Sequence, residues 1–111
     1  MGKIIEMLKT ISQEDISFSK HAAHMLKERE ISRKFLLEKL FDLDSLIAEI
    51  KQNETYKLIY KISKKYKLVV VVNAKNGKLK IVTVFKTSKK TEKLLKRARG
   101  IIMYIKTSEI G

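Results

Sequence analysis

His21, His24, Glu28 and Arg29 fall within one nine-residue stretch of the chain. They bring imidazoles that titrate near neutral pH, a carboxylate and a permanent cation. Such a set suits metal-free cleavage of a phosphodiester beside a 2′-hydroxyl. That reaction needs a base for the hydroxyl, an acid for the leaving 5′-oxygen and a cation for the phosphorane charge. On a helix turning about 100° per residue, with His21 as origin, Met25, Ala22 and Leu26 fall near roughly 40°, 100° and 140°. Arg29, at roughly 80°, lands inside that apolar stripe; His21 is at its edge, and His24, at roughly 300°, faces solvent. A buried arginine is costly unless it is paired or faces a cleft. The other reading of Arg29 is that it ends its helix and carries its guanidinium out to solvent or to a carboxylate such as Glu28 or Glu38. In the cleavage reading His21 is base or acid and Arg29 stabilises the phosphorane. Lys86 then supplies a second cation, and Thr83 or Tyr66 the complementary proton transfer. His21, His24 and Glu28 share about 60° of helix face. Three donors with no fourth are better explained as solvated polar residues than as a metal site, so no metal and no cofactor is assigned.

These residues need elements to hold them. Ile4, Ile5, Leu8 and Ile11 recur at helical spacing over residues 3–11, and Ser12 to Asp15 is a polar break. Phe18-Ser19 opens a second helix, with Ser19 as its N-cap, running to Arg29. Ser32 caps a third, Arg33 to Phe41. From about residue 45 the period changes. Leu46, Ala48 and Ile50 alternate, as do Tyr56, Leu58, Tyr60 and Ile62, which places both tyrosines in the core. Leu68 to Val72 is a β-branched run suited to a central strand. Asn76-Gly77 is a hairpin turn leading into Leu79 to Phe85. Residues 88–99 favour a basic helix that Gly100 could stop. Ile101 to Ile105 is open between a last strand and a docked helical turn. The expected fold is α+β: N-terminal helices packed on a four-stranded antiparallel meander, with a basic C-terminal helix.

With 111 residues the chain reads as one domain. The absence of cysteine excludes disulfides and thiol chemistry. No apolar run is long enough to span a bilayer. Met1 to Ile11 carries Lys3, Glu6 and Lys9 and lacks the continuous apolar core of a signal peptide, so a cytoplasmic location is expected. The net charge of +13 is unevenly spread: residues 57–106 hold 16 basic side chains and one acid, Glu92, while the other 61 residues hold nine basic and 11 acidic ones. That asymmetry is a footprint for a polyanion. Lys57, Lys61, Lys78 and Lys80 on strands, followed by Lys89, Lys90, Lys93, Lys96, Arg97 and Arg99, would make one positive surface for nucleic-acid backbone.

The stretch Phe18-Ser-Lys-His-Ala-Ala-His-Met-Leu-Lys-Glu-Arg-Glu-Ile-Ser32 resembles a small, largely uncharacterised family of bacterial and archaeal domains. Its signature is Ser-x-His-Ala-x-x-Arg-Met-x-x-Arg-Gly-Ile, with a closing strand like Ile81-Val-Thr-Val-Phe85. The resemblance covers about residues 18–87 and leaves 88–111 as a basic extension. His21, Ala22, Arg29, Ile31 and Thr83 match the pattern. Met25 stands in place of an arginine, which removes one candidate phosphate ligand, and Glu30 in place of a glycine. The family is grouped with the barnase/EndoU/colicin/RelE-like ribonucleases, which include toxins of toxin–antitoxin pairs. The resemblance implies a RelE-like sheet and a toxin-type endoribonuclease acting on RNA without metal. The alternatives are a non-catalytic nucleic-acid-binding module and a basic protein bound by an acidic, antitoxin-like partner. An exposed apolar strand at Ile101 to Ile110 would offer an edge to a second copy, as a homodimer, or to the antitoxin-like partner.

Overall fold

Ser19 and Ser32 both stand just before an apolar-periodic stretch, and both cap a helix. In a computed structural model, which describes residues 2–109, Ser19 Oγ accepts from the Ala22 N–H and Ser32 Oγ from the Phe35 N–H, each at 3.0 Å. The helices they open are α2 (Lys20–Glu28) and α3 (Arg33–Leu40), preceded by a short α1 (Lys3–Leu8). Ile4, Ile5 and Leu8 of α1, Ala22 and Leu26 of α2, and Leu36 and Leu40 of α3 all turn into one core.

The strands are β1 (Ile16–Phe18), β2 (Leu46–Gln52), β3 (Thr55–Lys61), β4 (Lys67–Lys75), β5 (Lys78–Thr87) and β6 (Ile101–Ile105), with α4 (Thr91–Arg97) between the last two. They form one sheet in the order β1-β5-β4-β3-β2-β6. β2 to β5 is the antiparallel meander that alternation predicts. Asn76 and Gly77 close its last hairpin with φ of 53° and 73°, the left-handed pair a two-residue turn requires. Tyr56 and Tyr60 are in the core as expected.

The α+β class holds, but the four-stranded antiparallel sheet of RelE-like form does not. The sheet has six strands and is mixed, because β1 pairs parallel with β5, Ile16 opposite Leu79 and Phe18 opposite Ile81. Three residues are too few to display a period of two. Only the distant partner strand makes Ile16–Phe18 a strand. β6 resolves the open reading of Ile101 to Ile105: it pairs antiparallel with β2. The basic helix is shorter than 88–99, and Gly100 does not stop it. Gly100 lies instead where a Cβ would run into the Lys51 carbonyl oxygen, so it admits the chain close against β2. Met1 and Ile110, at the ends of the first and last stretches of the sequence reading, lie outside the described residues.

The sheet separates two cores. On its first face, under α1, α2 and α3, lie Tyr56, Leu58, Tyr60, Leu68, Val70, Val72, Leu79, Ile81 and Val84. On its second face Ile47, Ala48, Ile50, Ile59 and Val69 meet Leu94, Leu95 and Ala98 from α4 and the residue that follows it. No helix among the described residues is long and apolar enough to cross a membrane.

Candidate functional site

A bulge in β5 decides which way the candidate residues point. Val71 pairs with Thr83 while Val72 pairs with Ile81, so Val82 is an extra residue and the alternation changes phase there. Ser19 pins the bulge: its N–H donates to the Ile81 carbonyl and its hydroxyl to the Val82 carbonyl, both at 2.9 Å. One serine thus caps α2 and fixes the phase of β5. Past the bulge Val84 joins the first-face core, and Thr83 and Phe85 turn to the second face, opposite Val71 and Val69.

The expected catalytic set is only partly gathered by this arrangement. α2 starts beside Ile81 and Val82, and its C-cap, Arg29, ends beside Phe85, the guanidinium 5.9 Å from the ring centroid. Arg29 is exposed rather than sunk in the apolar stripe. A C-cap has left helical geometry, so a wheel drawn through it misplaces the side chain. Arg29 therefore shares the second-face margin of β5 with Thr83, two residues from Phe85. Lys86 goes the other way: it pairs with Leu68 and lies 5.8 Å over the Phe35 ring, on the helix-covered face. His21 is exposed near the start of α2, about 12 Å along the axis from Arg29. Tyr66 is exposed in the β3–β4 turn beneath Lys65. The sheet thus parts Lys86 from Arg29 and Thr83. His24 meets only Glu28, at 3.6 Å across two exposed side chains. Among the described residues no three His, Cys, Asp or Glu side chains cluster as metal ligands.

The expected polyanion residues are gathered more fully. Where α4 leaves the second face open, a row crosses four strand boundaries: Ser17, Lys80, Asn73, Thr55 and Gln52. The next row inward is Thr83, Val71, Lys57 and Ile50. Lys75 and Lys78 face each other at the hairpin end. The row after that, Phe85, Val69, Ile59 and Ala48, is apolar and lies under α4. At the far end Lys61 and Lys67 pair across β3 and β4. Here Lys61 is already engaged, 3.3 Å from Glu109, and the Lys67 ammonium donates to the Lys89 carbonyl at 3.0 Å. That bond ties Lys89, just before α4, to β4. Leu94 and Leu95 then face inward, while Lys93, Lys96 and Arg97 stay exposed on α4 and Arg99 follows it.

Two features were not visible in the sequence. Asn73 and Lys75 belong to β4, but their alternation is hidden behind the apolar run Leu68 to Val72. Glu49 is fully buried on the first face. Its carboxylate accepts the Ile4 and Ile5 N–H groups of α1 at 3.3 and 3.1 Å, donors that a helix start leaves without intrahelical partners. Nearby, burial, helped by the Glu49 and Asp42 charges, raises the Tyr60 phenol well above its ordinary 10.0. That hydroxyl donates to the Leu40 carbonyl at 2.7 Å.

No protein-family model, no curated protein and no solved structure matches this chain.

Proposed function

We propose that this protein binds nucleic acid, RNA foremost, through the second face of its sheet and the outer side of α4. The observation that carries this is the sorting of charge by face. Eight of the twelve acids lie on α1 to α3 and their connections, Glu6, Glu14, Asp15, Glu28, Glu30, Glu38, Asp42 and Asp44, where eight basic side chains balance them. The second face offers Lys57, Lys75, Lys78 and Lys80 beside Lys93, Lys96 and Arg97, with Glu92 as the acid of α4. A surface of one sign attracts phosphates over distances longer than any single contact. Ser17, Thr55, Asn73 and Gln52 add hydroxyl and amide groups in the same row, the types that hydrogen-bond phosphate and sugar oxygens. This function needs no gathered catalytic set, which suits a chain whose Lys86 and Arg29 diverge.

Fluorescence anisotropy with a labelled mixed-sequence RNA over a series of salt concentrations tests the proposal. Affinity should fall steeply and linearly on logarithmic axes. The paired change Lys57→Gln and Lys80→Gln should flatten the slope by about 1.4 to 1.8, roughly 0.7–0.9 for each lost phosphate contact. Absence of binding at low salt by a chain shown to be folded by circular dichroism would sink the reading. Binding unchanged by the paired substitution would move the interface elsewhere.

A further inference from the structure

The placement of the aromatic rings bears on which form of RNA this face takes. Proteins that hold single strands offer exposed aromatic side chains on which successive bases stack. The chain has four tyrosines, four phenylalanines and no tryptophan. Tyr56, Tyr60 and Tyr104 pack in or against the first-face core. Phe18, Phe35 and Phe41 pack there too, with Arg33 lying 4.6 Å over the Phe18 ring. Phe85 belongs to the thin core under α4 and sits beneath Arg29. Tyr66 alone is exposed, at 45%, and it stands in the β3–β4 turn rather than on the polar rows. The basic face therefore has no stacking platform, while its cations are nearly all lysines.

The extent of the face points the same way. From Val71 to Lys75, the stretch of β4 that α4 leaves open runs about 13 Å at roughly 3.3 Å per residue. Across the strands, Lys80 on β5 and Lys57 on β3 lie two strand spacings apart, about 10 Å. α4 then carries Lys93, Lys96 and Arg97 above the sheet. The positive surface is a plateau, not a single-file groove. Double-stranded DNA presents about one phosphate charge per 1.7 Å of axis and one of its strands about one per 3.4 Å, roughly 8 against 4 along this length. A double-helical RNA likewise carries two backbones where a lone strand carries one. A plateau of point charges without stacking rings matches two phosphate backbones and reads no bases.

Resting on the proposed RNA-binding function, we infer that the ligand is double-helical RNA, held through its phosphates by the open second face and α4. The test compares a labelled 20-nucleotide unstructured RNA with the 20-base-pair duplex that contains it, at one salt concentration near physiological. The duplex should bind at least tenfold more tightly. Lys57→Gln with Lys80→Gln should weaken duplex binding at least fivefold, while Tyr66→Ala should leave it within twofold. Equal or tighter binding of the single strand overturns the inference and leaves the RNA-binding function standing. A fivefold loss with Tyr66→Ala overturns it as well, since stacking would then carry affinity. Binding of neither form removes the function itself. Circular dichroism of each variant separates lost contacts from lost fold.

Discussion

The two faces of this sheet bury very different amounts of side chain. The first is covered by three helices around a cluster of 18 buried residues; the second carries one short helix over five. Burial stabilises in proportion to the apolar area removed from water, so most of the folding free energy lies on the first face. The second can then afford exposed lysines in rows where a core would tolerate none. Acids and bases balance on the helical side while the open face is nearly all basic, so the division holds for charge as well. Stability and the proposed binding thus sit on opposite sides of the same strands.

Truncating the two faces is the strongest way to break that comparison. Leu58→Ala, in the middle of the first-face core, should cost about 2–5 kcal/mol. Val71→Ala, half-buried in the open row of the second face, should cost about 1 kcal/mol or less, because little covers it. Urea midpoints at constant slope would measure both. Equal losses would mean that the second face is as deeply packed as the first.

A smaller effect should come from the charge held inside the first face. Glu49→Leu removes the acceptor from the Ile4 and Ile5 N–H groups and should cost about 1–3 kcal/mol. Glu49→Gln keeps a carbonyl oxygen in place and should cost less. If Leu proves no worse than Gln in chemical denaturation, the carboxylate is not what holds α1.

The smallest effect is one of pH. The Tyr60 phenol is raised above 10.0 by burial in the native state, so the folded chain holds that proton where the unfolded chain releases it. Its contribution is complete below about pH 10 and is lost as pH rises above that value. Tyr60→Phe should lower stability at neutral pH by about 1 kcal/mol, through loss of the bond to Leu40. The same change should make the decline above pH 10 shallower. Denaturation midpoints at several alkaline pH values would decide it, and an identical decline in both proteins would place the titrating group elsewhere.

The sequence by itself determined what depends on neighbours a few residues away. Ser19 and Ser32 cap helices because their hydroxyls reach an N–H three residues on, and Asn76-Gly77 turns because both residues tolerate positive φ. The alternation in β2 and β3, the β-branched run of β4 and the basic excess of residues 57–106 are equally local. Tertiary structure decided what depends on a distant partner. Ile16–Phe18 is a strand only because β5 accepts it, and Ile101–Ile105 only because β2 does. Arg29 leaves the core because its helix ends one residue earlier, against Phe85. Most consequential is Val82, whose bulge sends Thr83 to one face and Lys86 to the other. No period read along residues 81–85 reveals it, because the bond that holds it comes from Ser19, 63 residues earlier. A phase change in a strand is set by pairing across the sheet, and the chain encodes that pairing only once it has folded.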